Sequence, residues 1–206
     1  MVVVKYSFLI AISFLVFGFS TTVVSLEEEL TKVLTSFDEL EISFTQEVYD
    51  QYANLIEVSS GICRVSKPSI EWRTTEPYRQ TLLLSGDTLK IFDPDLEQLI
   101  VKTVGSESTP LNLLRQKDIR FDDFIVTELK NGEDTKARRY LFSPVSREAA
   151  YSGIEIETLK QELVLIKLIG LAGEQTRVHF SGKRQIFGED LLFQLVVPEG
   201  TDIVEG

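Results

Sequence analysis

The feature that most constrains this chain is a succession of short runs in which apolar and polar residues alternate. ISFTQEVYD at 42–50 places Ile42, Phe44, Gln46 and Val48 on one side. LIEVSSGICRV at 55–65 continues the pattern, with Gly61 as a candidate bulge. IEWRTT, RQTLLLS, TLKIFD and EQLIVKTV follow, and further on come RRYLFS, GIEIETLK, ELVLIKLIG, QTRVHFSGKRQIF and DLLFQLVV. A period of two marks half-buried strands. Short turn signals separate the runs: Glu76-Pro77, SGD at 85–87 and DPD at 93–95. Regular short strands with tight turns predict an antiparallel meander, not βαβ units.

Helical signals are few. Leu26, Leu30, Val33, Leu34 and Phe37 recur at helical spacing behind Glu27, Glu28 and Glu29, and Ser25 with Glu28 three residues on reads as a capping box. STPLNLLRQ at 108–116 predicts a short helix starting at Pro110, capped by Ser108 or Thr109. Its Leu111, Leu113 and Leu114 make a surface too apolar for a solvated turn. FDDFIV at 121–126 either extends this helix or forms a second small one. So few helices cannot cover so long a sheet. The predicted fold is α+β and mainly β: a curved antiparallel sheet forming an incomplete, half-open barrel, lidded by short helices over an apolar cavity. No linker, repeat or low-complexity tract divides residues 26–206, which read as a single domain.

The first 25 residues differ. Lys5 precedes the apolar run FLIAISFLVFGF and the small-residue tail STTVVS, the pattern of a secretory signal peptide cut after Ser20 or Ser25. The competing reading, a membrane anchor, suffers from the shortness of the apolar run. Keeping Ser25 as a helix cap favours the earlier cut. Cys63 is the one cysteine, so no internal disulfide forms, and its strand-like setting predicts a buried, inert thiol. It lies too far along the chain to be an N-terminal lipidated cysteine.

The net charge of −11, with no basic cluster, argues against nucleic acid as a partner. The single histidine, His179, sits in a strand pattern, and no GxSxG, HExxH, Cys–His pair or Gly-rich phosphate loop occurs. Asp122 and Asp123 read as solvated. No metal or cofactor is expected, and the chain reads as a binding or carrier protein, not an enzyme.

The order of the motifs carries a resemblance. A capped helix ends in TSF. SFTQ follows at 43–46, then Lys67-Pro68 with Trp72 four residues after the proline. LLLSGDTLKIFDPDLEQ at 82–98, STPLNLL at 108–114 and LFQLVVPEGTDIV at 192–204 complete the set. This succession resembles the periplasmic outer-membrane lipoprotein carrier family, LolA, over nearly all of the mature chain, strongest over 43–114 and thin over 117–185. The resemblance implies a soluble, monomeric periplasmic carrier. It would take acyl chains of lipoproteins released by an inner-membrane ABC transporter and deliver them to an outer-membrane lipoprotein receptor. The alternative is a periplasmic sensor of the same fold that binds lipid or lipoprotein and a signalling partner.

In that family an arginine precedes the proline and helps latch the lid through backbone carbonyls. Here the position is Lys67, which lacks the planar fork of donors. Residues 38–41, DELE, read as extra length before SFTQ. Ile42, Phe44, Ile70, Trp72, Leu82, Leu84, Leu89 and Ile91 are the expected acyl-cavity lining, from their alternation on neighbouring strands. Lys67, Leu111, Leu113 and Leu114 are the expected latch and lid. The competing reading of Ile70 and Trp72, the chain's sole tryptophan, is ordinary core.

Overall fold

The computed structural model describes residues 25–104, 110–115, 120–130 and 136–205. The expected signal segment up to residue 24 lies outside the described residues, as do the expected caps Ser108 and Thr109. Among the described residues no helix is long and apolar enough to cross a membrane.

Helix α1 spans Leu26–Thr35. The Ser25 hydroxyl accepts a hydrogen bond from the Glu28 amide at 3.1 Å, which satisfies one of the free N–H groups of the first turn. Leu30, Val33 and Leu34 are buried on one face, with Phe37 just beyond the helix.

Six strands follow: β1 (Leu40–Tyr49), β2 (Leu55–Ser66), β3 (Ser69–Glu76), β4 (Gln80–Ser85), β5 (Thr88–Asp93) and β6 (Gln98–Thr103). Helix α2 (Pro110–Arg115) leads through a 3₁₀ turn at Phe121–Asp123 into β7 (Phe124–Leu129), β8 (Ala137–Pro144), β9 (Tyr151–Leu159), β10 (Glu162–Gly170) and β11 (Gln175–Gln185). A second 3₁₀ turn, Gly188–Leu191, precedes β12 (Asp202–Glu205).

All twelve strands join one sheet in the order β12-β6-β5-β4-β3-β2-β1-β11-β10-β9-β8-β7. Two meanders, β1–β6 and β7–β11, are joined where β1 pairs with β11. In chain order α2 lies between β6, near one end of the sheet, and β7, the edge strand at the other.

Three local readings are corrected. In FDDFIV only Phe121–Asp123 is helical. Phe124 starts β7, because period-two burial wins: Phe124 is buried and meets Phe142 edge-on at 5.6 Å, while Ile125 is exposed. In DELE, Leu40 and Glu41 already belong to β1, opposite Val65 and Arg64, so of these four residues only Asp38 and Glu39 lie in the connection from helix to strand. DLLFQLVV is not a ladder strand. The strands beneath it are already paired on both sides, so it crosses the sheet's outer face. The chain then adds β12 parallel to β6, the one parallel pairing among the described residues.

The sheet's registers sort side chains by face. One inner row runs Ile42, Cys63, Trp72, Leu82, Ile91, Ile100 across β1 to β6. A second runs Leu40, Val65, Ile70, Leu84, Leu89. Across the other meander, Val178, Ile166, Ile156 and Tyr140 share the inner face with Phe180. The part of this face on β1–β3 and β8–β11 joins the apolar faces of both helices in one buried cluster, with Trp72 and Val178 packed against it. Gly61 faces Phe44, and the ladder shifts between Ser60 and Gly61, the bulge expected there. A Cβ at Gly61 would stand 1.9 Å from the Arg73 carbonyl oxygen, so only glycine fits.

Candidate functional site

All eight residues expected to line a cavity fall on the inner face, but not in one environment. Ile42, Phe44, Ile70 and Leu84 are buried; Trp72, Leu82, Leu89 and Ile91 are half-buried. Trp72 stacks on Phe44 with ring centroids 4.0 Å apart and meets the edge of Phe180 at 6.3 Å. Phe180 in turn contacts Phe37 at 5.3 Å. The first group is thus packed beneath the helices. The second continues outward as an apolar strip that the described helices leave partly open. Ile100 extends the strip one strand further. It was not among the expected residues, although the alternation of EQLIVKTV carries the signal.

Both helices sit against this face. Helix α1 packs on β10 and α2 on β3. Leu113 and Leu114 are buried in the shared cluster, while the Leu111 side chain lies outside the described residues. Lys67 is 7% exposed, and its ammonium donates to the Leu34 carbonyl at 2.6 Å. That carbonyl belongs to the last turn of α1, where the helix's negative end favours a cation. Lys67 thus bonds a backbone carbonyl, and the partner seen is on α1. Its backbone amide also donates to Asp38 Oδ1 at 2.8 Å, which fixes the connection from α1 to β1.

Two further anchors had no signal in the sequence, because their partners lie far apart along the chain. Glu29, on the first turn of α1, accepts from Tyr140 Oη at 3.1 Å and from Arg138. Arg138 also forks onto Glu128 through its Nε at 2.9 Å and Nη2 at 3.0 Å. Burial, and then the Glu29 carboxylate, push the Tyr140 hydroxyl up to about 12. Helix α1 is therefore tied to both halves of the sheet, through β8 and through the β2–β3 turn. Helix α2 is tied at its C-terminal end, where Arg115 donates to the Gly86 carbonyl at 2.8 Å.

Among the described residues no catalytic constellation accompanies this geometry. His179 is half-exposed on the outer face, 3.8 Å from Glu47. Cys63 is fully buried; desolvation, and then the Glu71 charge, hold its thiol well above the usual range. Among the described residues no three His, Cys, Asp or Glu side chains are placed to hold a metal.

A single curved sheet with an apolar inner strip and two anchored helices is the arrangement against which relatives can be compared. The sequence matches the family described as outer membrane lipoprotein carrier protein LolA over residues 35–196. The chain belongs to the LolA family. An outer-membrane lipoprotein carrier protein of Xanthomonas oryzae pv. oryzae is 28% identical over 190 residues, covering 90% of each chain. One of Methylococcus capsulatus is 28% identical over 207 residues, covering 97% of this chain and 98% of its own. Among solved structures, a conserved protein of Thermus thermophilus superposes with a TM-score of 0.52 at 11% identity, covering 87% of this chain and 98% of its own. At that identity the likeness shows the fold alone. The LolA fold expected from the motif order is therefore present, and lipoprotein transport is the role for which the family is named.

Proposed function

We propose that the protein is a periplasmic carrier that holds the acyl chains of a lipoprotein against the inner face of its sheet. It would receive them from an inner-membrane ABC transporter and pass them to an outer-membrane lipoprotein receptor. The observation that carries this reading is the half-buried strip Trp72, Leu82, Ile91, Ile100 beside α2. An ordinary core would cover such a strip, and a surface this apolar has a use only if something apolar occupies it. The sequences of the two carrier relatives support it across most of the chain.

Energetics shape how such a site works. Three acyl chains hold roughly forty methylenes, and burying all of them at ~0.8 kcal/mol each exceeds ~30 kcal/mol. That passes the practical ceiling of non-covalent affinity, about 18–21 kcal/mol, and no receptor could then remove the cargo. A working carrier buries its cargo in part, or offsets the gain against opening its helices. Filling the cluster with Leu30, Leu34, Leu113 and Leu114 supplies that offset, since acyl chains must displace side chains already packed there.

Trp72 reports directly on this. Its emission should shift when an acyl ligand is titrated, in step with ligand binding measured by mass spectrometry. The protein purified from its native periplasm should carry intact lipoprotein or its acyl chains. Binding shown by mass with no change at Trp72 would place the acyl site elsewhere.

A further inference from the structure

The outer face of the β1–β6 meander is not bare. After β11 the chain crosses it as a strap, from the Ile186 amide bound to the Glu39 carbonyl at 2.9 Å, to the Asp202 amide bound to the Glu97 carbonyl at 2.9 Å. Over Leu191–Pro198 alternate residues turn down and out. Leu191, Phe193, Leu195 and Val197 are half-buried, and Leu192, Gln194, Val196 and Pro198 are exposed. Arg64 pins the strap by donating to the Asp190 carbonyl at 2.5 Å and lying 4.8 Å from the centre of the Phe193 ring. Beneath it the outer-face residues Leu83, Phe92 and Leu99 are buried.

This is a strand in all but pairing. Among the described residues, no backbone N–H or C=O from Phe193 to Val197 has a hydrogen-bond partner. Such a row of free donors and acceptors is a template for another strand. The room exists. A groove of about 300 Å³ runs beside Gln194, Leu195 and Val196, floored by Thr81 and Phe92 and walled by Thr75, Gln80 and Pro94. Its two arginines are already paired, Arg73 with Glu71 at 2.7 Å and Arg79 with Asp95 at 2.5 Å. The side chains the strap turns outward include Leu192 at 70% and Val196 at 83% exposure. Charge selects the occupant: residues 187–205 hold Glu189, Asp190, Glu199, Asp202 and Glu205 and no Lys, Arg or His. A second copy of this chain would bring the same acids against them.

We propose that residues 192–198 are a docking strand, which takes up an extended segment of a partner protein by main-chain pairing along the groove. The segment alternates apolar with small polar residues and carries Lys or Arg at its ends. It binds on the face opposite the acyl strip, so partner and cargo can be held together.

The test uses the whole secreted protein and a blocked peptide of alternating Val and Thr with two lysines at each end. Amides of Phe193–Val197 should exchange freely without peptide, and the alternate set that faces the groove should exchange at least tenfold more slowly with it, while Trp72 emission stays unchanged. The same peptide with glutamates at its ends should bind at least tenfold more weakly. N-methylating one alternate set of peptide amides should abolish binding, and methylating the other set should not, because only one set faces the strap. This readout does not depend on any variant folding. Three results would each overturn the proposal: amides of 193–197 unmoved at saturating peptide, equal binding of the lysine and glutamate peptides, or the same amides protected without peptide in a homodimer.

Discussion

At the residue scale, two buried charges do different work. Lys67 holds the last turn of α1 through the Leu34 carbonyl, on the face where we place the cargo. Lys67→Leu removes the donor and leaves that carbonyl without it. The helix should loosen, so a labelled lipoprotein is held more tightly and transferred more slowly to receptor-bearing membranes, because a closed state lowers apparent affinity by the closed fraction. Lys67→Arg should transfer at least as fast as the parent. Equal transfer and retention by Lys67→Leu and the parent would remove Lys67 from the latch. Glu155, on the outer face, instead supports the scaffold between Arg139 at 2.7 Å and Lys167. Burial pushes its carboxyl up, but hydrogen bonds from Lys167 and Arg139, with their charges, outweigh burial and hold it below the ordinary range. A folded-state pKa below the unfolded one gives stability that is complete above the ordinary carboxylate value and lost as pH falls through the folded value. Glu155→Gln should therefore cost about 1–3 kcal/mol at pH 7. In urea melts the gap from the parent should narrow as the pH drops below about 4, and a gap unchanged by acid would contradict this pairing.

At the scale of elements, the two helices differ in how firmly they are held. Helix α1 has ten residues, a Ser25 cap, Glu29 bound to Arg138 and Tyr140, and Lys67 at its far end. Helix α2 has six residues, too few for a helix stable by itself, and depends on Leu113, Leu114 and Arg115. We therefore expect α2 to be the element that opens. Amides of α2 should exchange by a local, low-energy opening that an acyl ligand alters, while those of Leu30–Leu34 should need a costlier opening, which Lys67→Leu makes easier. Equal protection of the two helices, with and without ligand, would contradict that assignment. The strands and α1 were legible in the sequence because period two and period 3.6 report directly on which side is covered. Phe124 and Leu192–Val197 were not, for opposite reasons. Phe124 follows an acidic, helix-like FDD, yet its ring packs against Phe142. Leu192–Val197 alternates like a strand, yet the strands beneath it are already paired on both sides. Lys67, Arg138 and Arg115 show the same limit at the site: a lone cation can be read as a donor, but the carbonyl or carboxylate it meets is a property of the folded sheet.

At the scale of the whole molecule, β1 joins two meanders into one sheet whose inner face is apolar from Phe180 to Ile100 and whose outer face is charged or strapped. The central claim is that this division of faces is functional, with cargo acyl chains inside. Leu82 and Leu83 test it most directly, because adjacent strand residues point to opposite faces: Leu82 pairs with Trp72 and Ile91 on the inner row, and Leu83 pairs with Glu71 and Lys90 on the outer. A photo-crosslinking residue placed at each position in turn, in living cells, should capture the acyl-bearing N-terminal peptide of lipoproteins from position 82 and not from position 83. Capture from position 83 alone, or equally from both, would contradict the account.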